Sequence, residues 1–321
     1  MHAETRARLD RLVSRRNGEA AHDWAEELER LAGVPPGMER LRQAFLDGLD
    51  NEQLLPLNDD DEIFFEWLTE AMQEAATDGA VLVEIRFGAK WGMRPGFMSL
   101  FRDAEERVQA NYPNFYAEAL VTGLWPTRPG APEAFEDSLR AAEDGLAGID
   151  FIPIPYDKEA DWGDAYVWAS RAEDAGLDVT AHLGEVSAAN IEAGLRLPGL
   201  NRISHAVHAT TSDELLQQVL DAGVTVECCL TSNLVLGDVP SLDAHPIRKL
   251  AEAGVPITIA SDDPVRTCTS IAREYELAAS LGFSTGELLS MTRQGIAASF
   301  TSEERRTRLL KSLEPRLPGC N

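Results

Sequence analysis

Four short stretches of this 321-residue sequence gather side chains able to do chemistry, and each closes an apolar run. His182-Leu183-Gly184-Glu185 closes LDVTAH (177–182), and Ser204-His205-Ala206 closes RISH (202–205). Thr231-Ser232-Asn233 follows VTVECCL (224–230), and Ser261-Asp262-Asp263-Pro264 closes PITIAS (256–261). Two imidazoles, a glutamate and two aspartates at successive strand ends suit metal-assisted hydrolysis. One His and one Asp would serve as ligands, a second His as base and the Glu as acid.

Each group also has a plainer reading. A solitary His such as His182 is more often a hydrogen-bonded part of the framework. Its place at a strand end, with Glu185 three residues on past a glycine, turns the balance towards a ligand. Glu185 also fits the acid of a helix first turn. Asp262-Asp263-Pro264 fits a turn and helix start, although adjacent acids ending an apolar strand are costly unless paired or metal-bound. Thr231-Ser232-Asn233 reads as a turn held by its own side chains in preference to a substrate contact. Cys228 and Cys229 read as core strand residues, His208 as loop surface and His245, before Pro246, as a helix cap. His22 is expected exposed and His2 terminal and disordered. No G-x-S-x-G elbow, phosphate-binding glycine loop or dinucleotide fingerprint occurs, which argues against serine hydrolysis and nucleotide-dependent transfer.

The elements that must position these groups alternate. Short β-branched runs at 80–87, 115–122, 148–154, 177–182, 202–205, 224–230 and 256–261 predict strands. Helical patterns at 161–175, 211–222 and 246–253 each end in Ala-Gly, the usual left-handed stop. Repeated βα units predict a parallel sheet with helices outside, whose functional groups lie at the carboxyl ends of the strands. Seven strands are visible where a closed (β/α)8 barrel has eight. Residues 1–78 are expected to be mainly helical, with 19 Asp+Glu against 8 Arg, and Asp59-Asp60-Asp61-Glu62 as a solvated helix start. Residues 79–300 carry the βα units and 301–321 a C-terminal helix and tail, so one domain over 1–321 is the economical reading.

Composition narrows the partners. With 29 Lys+Arg against 54 Asp+Glu the net charge is −25, a surface that repels phosphate backbones and anionic lipid. No nucleic-acid or membrane partner is therefore expected. The 44% hydrophobic content supplies a large core. No stretch is apolar enough to span a bilayer, and residues 1–16 lack the apolar segment of a signal peptide. Cys228, Cys229, Cys268 and Cys320 form no CxxC pair, so neither a disulfide framework nor a cysteine zinc site is indicated. A cytoplasmic enzyme acting on a small molecule is expected, with its oligomeric state open.

The strand-end motifs, in this order and across essentially the whole chain, resemble those of the adenosine deaminase family of zinc-dependent (β/α)8-barrel hydrolases. His182-Leu183-Gly184-Glu185 is similar to the family's HAGE, and Ser204-His205-Ala206 stands where it has GHG. Cys229-Leu230-Thr231-Ser232-Asn233 is similar to its CPTSN, and Ser261-Asp262-Asp263-Pro264 to its S/T-DDP. Softer echoes are VEIRF (83–87), HPIR (245–248) and Glu274-Tyr275-Glu276-Leu277. The resemblance implies a TIM-type barrel, one Zn2+ per chain and hydrolytic deamination of adenosine or a related 6-aminopurine nucleoside or base. Adenine, aminodeoxyfutalosine and modified nucleosides all stay open. It implies that His182 and Asp262 ligate zinc and that Glu185 protonates a purine ring nitrogen. His205 would orient and deprotonate the water, Asp263 would hold the other ring edge, and Gly184 would let the backbone approach the base.

Departures set expectations of their own. The family's H-x-H pair on strand one, two further zinc ligands, occurs nowhere in this sequence. Aligning Glu4-Thr5 with the family's PET-like helix start places that pair just before Met1, so the barrel is expected to lack strand one. Either the start is set at an internal methionine or the strand is lost. Two ligands are fewer than the three a catalytic zinc usually has, and unpaired strand edges are a liability. Weak metal binding and low stability are expected for the chain as written. A deaminase paralogue without activity, binding a purine or a protein partner, is the alternative, and amidohydrolysis of a non-purine is a third. Ser204, Ala206, Leu183 and Leu230 replace smaller or different family residues and are expected to narrow the pocket. The segment IPIPYDKE (152–159) stands where the family has a purine-contacting Gly-x-Glu loop.

Overall fold

All seven runs form strands of one parallel sheet in the computed structural model: β1 (Leu82–Gly88), β2 (Tyr116–Leu124), β3 (Gly148–Phe151), β4 (Asp178–Leu183), β5 (Leu200–His205), β6 (Thr225–Cys228) and β7 (Ile257–Ile259). The structure describes residues 23–46, 60–88 and 95–313, with Thr5, Ala7, Arg8, Arg11 and Ser14. His2, His22, Asp59, Cys320 and residues 314–321 lie outside them. Sheet order follows chain order and every neighbouring pair is parallel. Among the described residues this is the α/β architecture of a TIM-type barrel short of one strand, with β1 and β7 as its edges.

Three strands, β3, β6 and β7, stop earlier than their apolar runs. β3 ends at Phe151 because Pro153 and Pro155, which follow, have no N–H to give to a ladder. β6 ends at Cys228, and Leu230–Leu236 is a helix. Thr231-Ser232-Asn233, expected in a turn, is therefore helical. The reason is distant in sequence: the buried carboxylate of Glu274 accepts the Thr231 N–H (3.1 Å) and the Thr231 hydroxyl at the positive end of that helix.

Outside the sheet, the helices Gly163–Asp174, Asp213–Ala222 and Ile247–Glu252 occupy the expected positions. Gly223 stops the second of them with φ 66°, a conformation that a Cβ would disfavour. Ile149, Phe151, Val179, Ala181 and Leu183 of β3 and β4 join Phe135, Ala165, Ala169 and Ala172 of the covering helices in the main core. Each such large apolar side chain contributes about 1.5–3 kcal/mol when fully buried. In the N-terminal part, Asp60 caps the helix Asp61–Thr77 by accepting the Glu62 and Ile63 amides, both at 3.1 Å. No helix among the described residues is long and apolar enough to cross a membrane.

The inner face of the sheet is polar. Arg86 of β1 reaches Glu227 of β6 (2.5 Å), and Arg202 of β5 meets Glu84 of β1. These strands are not neighbours, so both pairs cross the interior. With Asp150 of β3, two arginines face three carboxylates beneath the strand ends, an excess of negative charge that favours a cation above it. On edge strand β7, the Ile257 N–H is taken by Gln294 (2.9 Å) of the helix Thr285–Ala297. Over the rim, Leu31, Leu41 and Ala44 of the N-terminal helices pack on Leu236, next to Tyr156 and Val186.

Candidate active site

The strand ends bring the expected groups together. Donor atoms of Glu185, His205 and Asp262 all lie within 4.8 Å of one another. The ring of His182 is 5.1 Å from that of His205, centroid to centroid. The backbone is twisted where this happens. Gly184 (φ 72°), His205 (71°), Ala206 (50°) and Asp262 (53°) are all left-handed, which costs roughly 1–2 kcal/mol at each non-glycine position. A Cβ at Gly184 would stand 2.9 Å from Ile191 Cδ1 and 3.2 Å from the Ala206 Cα. Conformation and close packing together require glycine there. Ser204 does not narrow the site as expected, because its hydroxyl turns into the barrel and donates to Glu227 at 2.7 Å.

His182 is oriented from beneath. Its Nδ1 lies 2.9 Å from Asp150 Oδ2, and Thr122 and Arg86 hold the same carboxylate. Burial favours a neutral Asp150, but the neighbouring His182 and Arg86 outweigh it and keep the group ionised below the ordinary range. Burial likewise works against a charged His182, and Asp150 overcomes it. A carboxylate on one ring nitrogen leaves the other for a ligand, the usual support of a metal-binding histidine. Asp262 is exposed and its Oδ2 accepts the Ser232 hydroxyl at 2.6 Å. The side chains whose ligand atoms converge are Glu185, His205 and Asp262, a set of imidazole nitrogen and carboxylate oxygens that fits a divalent ion such as zinc, while His182 stands beside it against the His205 ring.

Glu185 is a strongly perturbed acid. Burial and then the Asp262 charge push its carboxyl up to about 7, against the pull of His182 and a hydrogen bond from Tyr156. The Tyr156 hydroxyl donates to Glu185 Oε2 at 2.7 Å, and Glu185 Oε1 lies 3.6 Å from His205 Nε2. Asp238 joins this group: burial and the Glu185 charge push it up to about 8.

A buried relay sets the protonation of His205. The Ile247 N–H donates to His245 Nδ1 (3.1 Å), so the proton of a neutral His245 ring is on Nε2, which donates to Asn233 Oδ1 (3.2 Å). The Asn233 amide nitrogen then faces His205 Nδ1 (3.3 Å) and Asp238 Oδ2 (3.2 Å) as a donor to both. His205 is left with its proton on Nε2, which lies 3.6 Å from Glu185 Oε1, beyond hydrogen-bond reach. Burial, with His182 and Arg86 nearby, drops its pKa to about 4, so the ring is neutral near pH 7. Taking a proton at Nε2 would require that nitrogen to be bare and the Asn233 amide to turn over. His245 does cap its helix as expected, and it is buried. His208, expected at the loop surface, is half-buried, with Nδ1 3.2 Å from the Gly184 carbonyl.

Asp263 has both oxygens engaged. Oδ1 accepts the Val265 and Arg266 amides (3.2 and 3.1 Å), and Oδ2 pairs with the Arg266 guanidinium at 3.2 Å. Arg266 also donates to the Ala44 carbonyl and lies over Trp24 and Phe45, tying the N-terminal helices to this side of the rim.

Sequence reasoning did not single out Tyr156, Asp238, Asp150, Arg86, Glu227 or Arg266. For Arg86, Asp150 and Glu227 a signal exists: a charged residue inside an apolar strand is costly unless it has a partner across the fold. Nothing local marks Tyr156 or Asp238.

Comparison with known proteins gives the family and the fold. The sequence profile of adenosine deaminase matches residues 38–315. An adenine deaminase of Rhizobium leguminosarum bv. trifolii is 46% identical over 144 residues, 44% of this chain and 45% of that relative. The match thus spans less than half the length of that relative. An adenine deaminase of Chelativorans sp. is 33% identical over 259 residues, 76% of this chain and 77% of that protein. The crystal structure of an adenine deaminase from Arthrobacter aurescens shares the fold, with a TM-score of 0.77 at 21% identity over 98% of this chain and 97% of that one.

Proposed function

The chain belongs to the adenosine deaminase family, and from that premise we propose that it hydrolyses the 6-amino group of a purine, with free adenine as the first candidate substrate. The observation that carries this reading is Glu185, a buried carboxyl raised to about 7 beside His205 and Asp262, since an acid catalyst must still hold its proton near neutral pH. Adenine comes first because the relatives compared above are adenine deaminases.

His182 and Asp262 would hold the zinc ion, His182 oriented by Asp150 and Asp262 by Ser232. When bound, zinc supplies a water acidic enough to attack near pH 7 and offsets the charge that develops on its oxygen. Glu185 gives its proton to the ring nitrogen next to the amino-bearing carbon, which makes that carbon electrophilic. His205 orients the attacking oxygen through its Nε2–H. Asp263 and Gly184 border the base from the two sides of the rim. Of the two protons of water, one replaces the proton given by Glu185. The other leaves with the amino group as ammonia, and a 6-oxopurine remains.

The test is direct. The purified chain with added zinc is offered adenine, adenosine, other 6-aminopurines and simple non-purine amides, and ammonia and the ultraviolet change to a 6-oxopurine are followed. Turnover of a 6-aminopurine that stops on chelation supports the proposal. Binding of adenine without ammonia release would instead mean a purine-binding protein. Ammonia from the amides alone would overturn the purine assignment.

A further inference from the structure

We propose that Tyr156 is a positioning residue for Glu185, and that Asn190 holds it in place by clamping the loop that carries it. The inference deepens the deaminase reading and rests on it. It concerns IPIPYDKE, the segment that departs most from the family pattern.

Tyr156 lies in the loop after β3, and its hydroxyl meets Glu185 Oε2 at 2.7 Å. A phenol with an ordinary pKa near 10 carries its proton at neutral pH, so a hydroxyl facing a carboxyl oxygen serves as the donor. With Oε2 occupied as an acceptor, the proton of a neutral Glu185 resides on Oε1, the oxygen 3.6 Å from His205 Nε2. Tyr156 thereby selects which atom of the acid faces the reacting ring. Without the hydroxyl the carboxyl is free to turn about its terminal bond, a broad and nearly two-fold torsion. The acid would then present its proton in the wrong direction for part of the time.

The loop is built to hold this contact. Asn190 is buried, and its amide nitrogen donates to the carbonyls of Pro155 (3.1 Å), Tyr156 (3.2 Å) and Lys158 (2.8 Å). Its amide oxygen accepts from the Ala160 N–H (3.0 Å) and the Trp162 indole N–H (3.2 Å). One side chain thus gathers the loop from Pro155 to Trp162. Asn190 is five residues beyond Glu185 on the segment after β4, so the acid and the clamp of its partner belong to one short stretch. The Tyr156 ring packs against the apolar cluster of Leu31, Leu41, Ala44 and Leu236, which fixes its other side. A hydroxyl anchored at both ends loses little entropy when it makes its hydrogen bond.

Tyr156→Phe removes the hydroxyl and keeps the ring. The expected signature is a fall in kcat of about 10- to 100-fold, within the range general acid catalysis contributes, with KM for the purine changed less than about threefold. A purine analogue tetrahedral at C6 and protonated at the neighbouring nitrogen should lose affinity by the factor lost in kcat/KM. The 6-oxopurine product should bind as before. The melting temperature controls for folding. A rise in KM with unchanged kcat, or equal loss of affinity for both ligands, would overturn the positioning role. If the wild-type chain deaminates no purine, the deaminase reading fails on that result alone. Crystal structures of the wild type and of Tyr156→Phe then decide the inference separately. Glu185 turned away from its wild-type orientation in the variant supports it, and an unmoved carboxyl refutes it.

Discussion

Glu185→Gln should make the metal-free protein more stable at alkaline pH while removing its activity. Glutamine keeps the volume of the side chain and still offers an oxygen to the Tyr156 hydroxyl, but it does not titrate. The wild-type carboxyl is raised from an ordinary 4.5 to about 7, first by burial and then by Asp262. A raised acid stabilises the fold fully below its unfolded-state value, and this stabilisation is lost as pH climbs through the folded-state value. From 4.5 to about 7, at about 1.4 kcal/mol for each pH unit, the loss is about 3 kcal/mol. Asp238 acts in the same direction, because part of its rise to about 8 comes from the Glu185 charge that the variant lacks. The assay is urea unfolding of both chelator-treated proteins in pH steps from about 4.5 to 8. The variant should gain about 3 kcal/mol on the wild type across that range, and deamination should fall about 10²- to 10⁴-fold. Stability differences that stay constant with pH would refute the buried-acid reasoning.

Three further outcomes follow from the same geometry. Ser232→Ala removes the hydroxyl that orients Asp262 and should weaken zinc binding about 10- to 100-fold, read by competition with a chromophoric chelator. Gly184→Ala forces a Cβ against Ile191 and Ala206 at a left-handed backbone position and should cost about 2–4 kcal/mol in urea unfolding. Asn233→Ala leaves the buried His245 Nε2–H without an acceptor and frees His205. About 1–3 kcal/mol of stability should be lost, and kcat should fall more than adenine affinity does when both are measured on the same preparation.

What could be read along the chain was what neighbours in sequence decide. The seven strand runs, the Ala-Gly helix stops and the positions of His182, Glu185, His205, Asp262 and Asp263 at strand ends all follow from local pattern, and the fold keeps them. Thr231-Ser232-Asn233 shows where this stops. Their residue types favour a turn, but Glu274, forty-three positions further on, supplies the anion that starts a helix there. The narrowing expected from Ser204 failed for a similar reason. Glu227, on the next strand, draws its hydroxyl into the barrel.

The sequence by itself determined the family, the alternation of strand and helix, and the identity of the groups at the rim, because strand and helix periods and cap chemistry act over a few residues. Only the tertiary structure decided how those groups are tuned. Asp150 steadies His182 from 32 residues away, the His245–Asn233 relay settles the tautomer of His205 across separations of 12 and 28 residues, and Tyr156 takes one oxygen of Glu185 from 29 residues away. Burial and the Asp262 charge set the pKa of Glu185, and neither acts on it until the strand ends have been brought together.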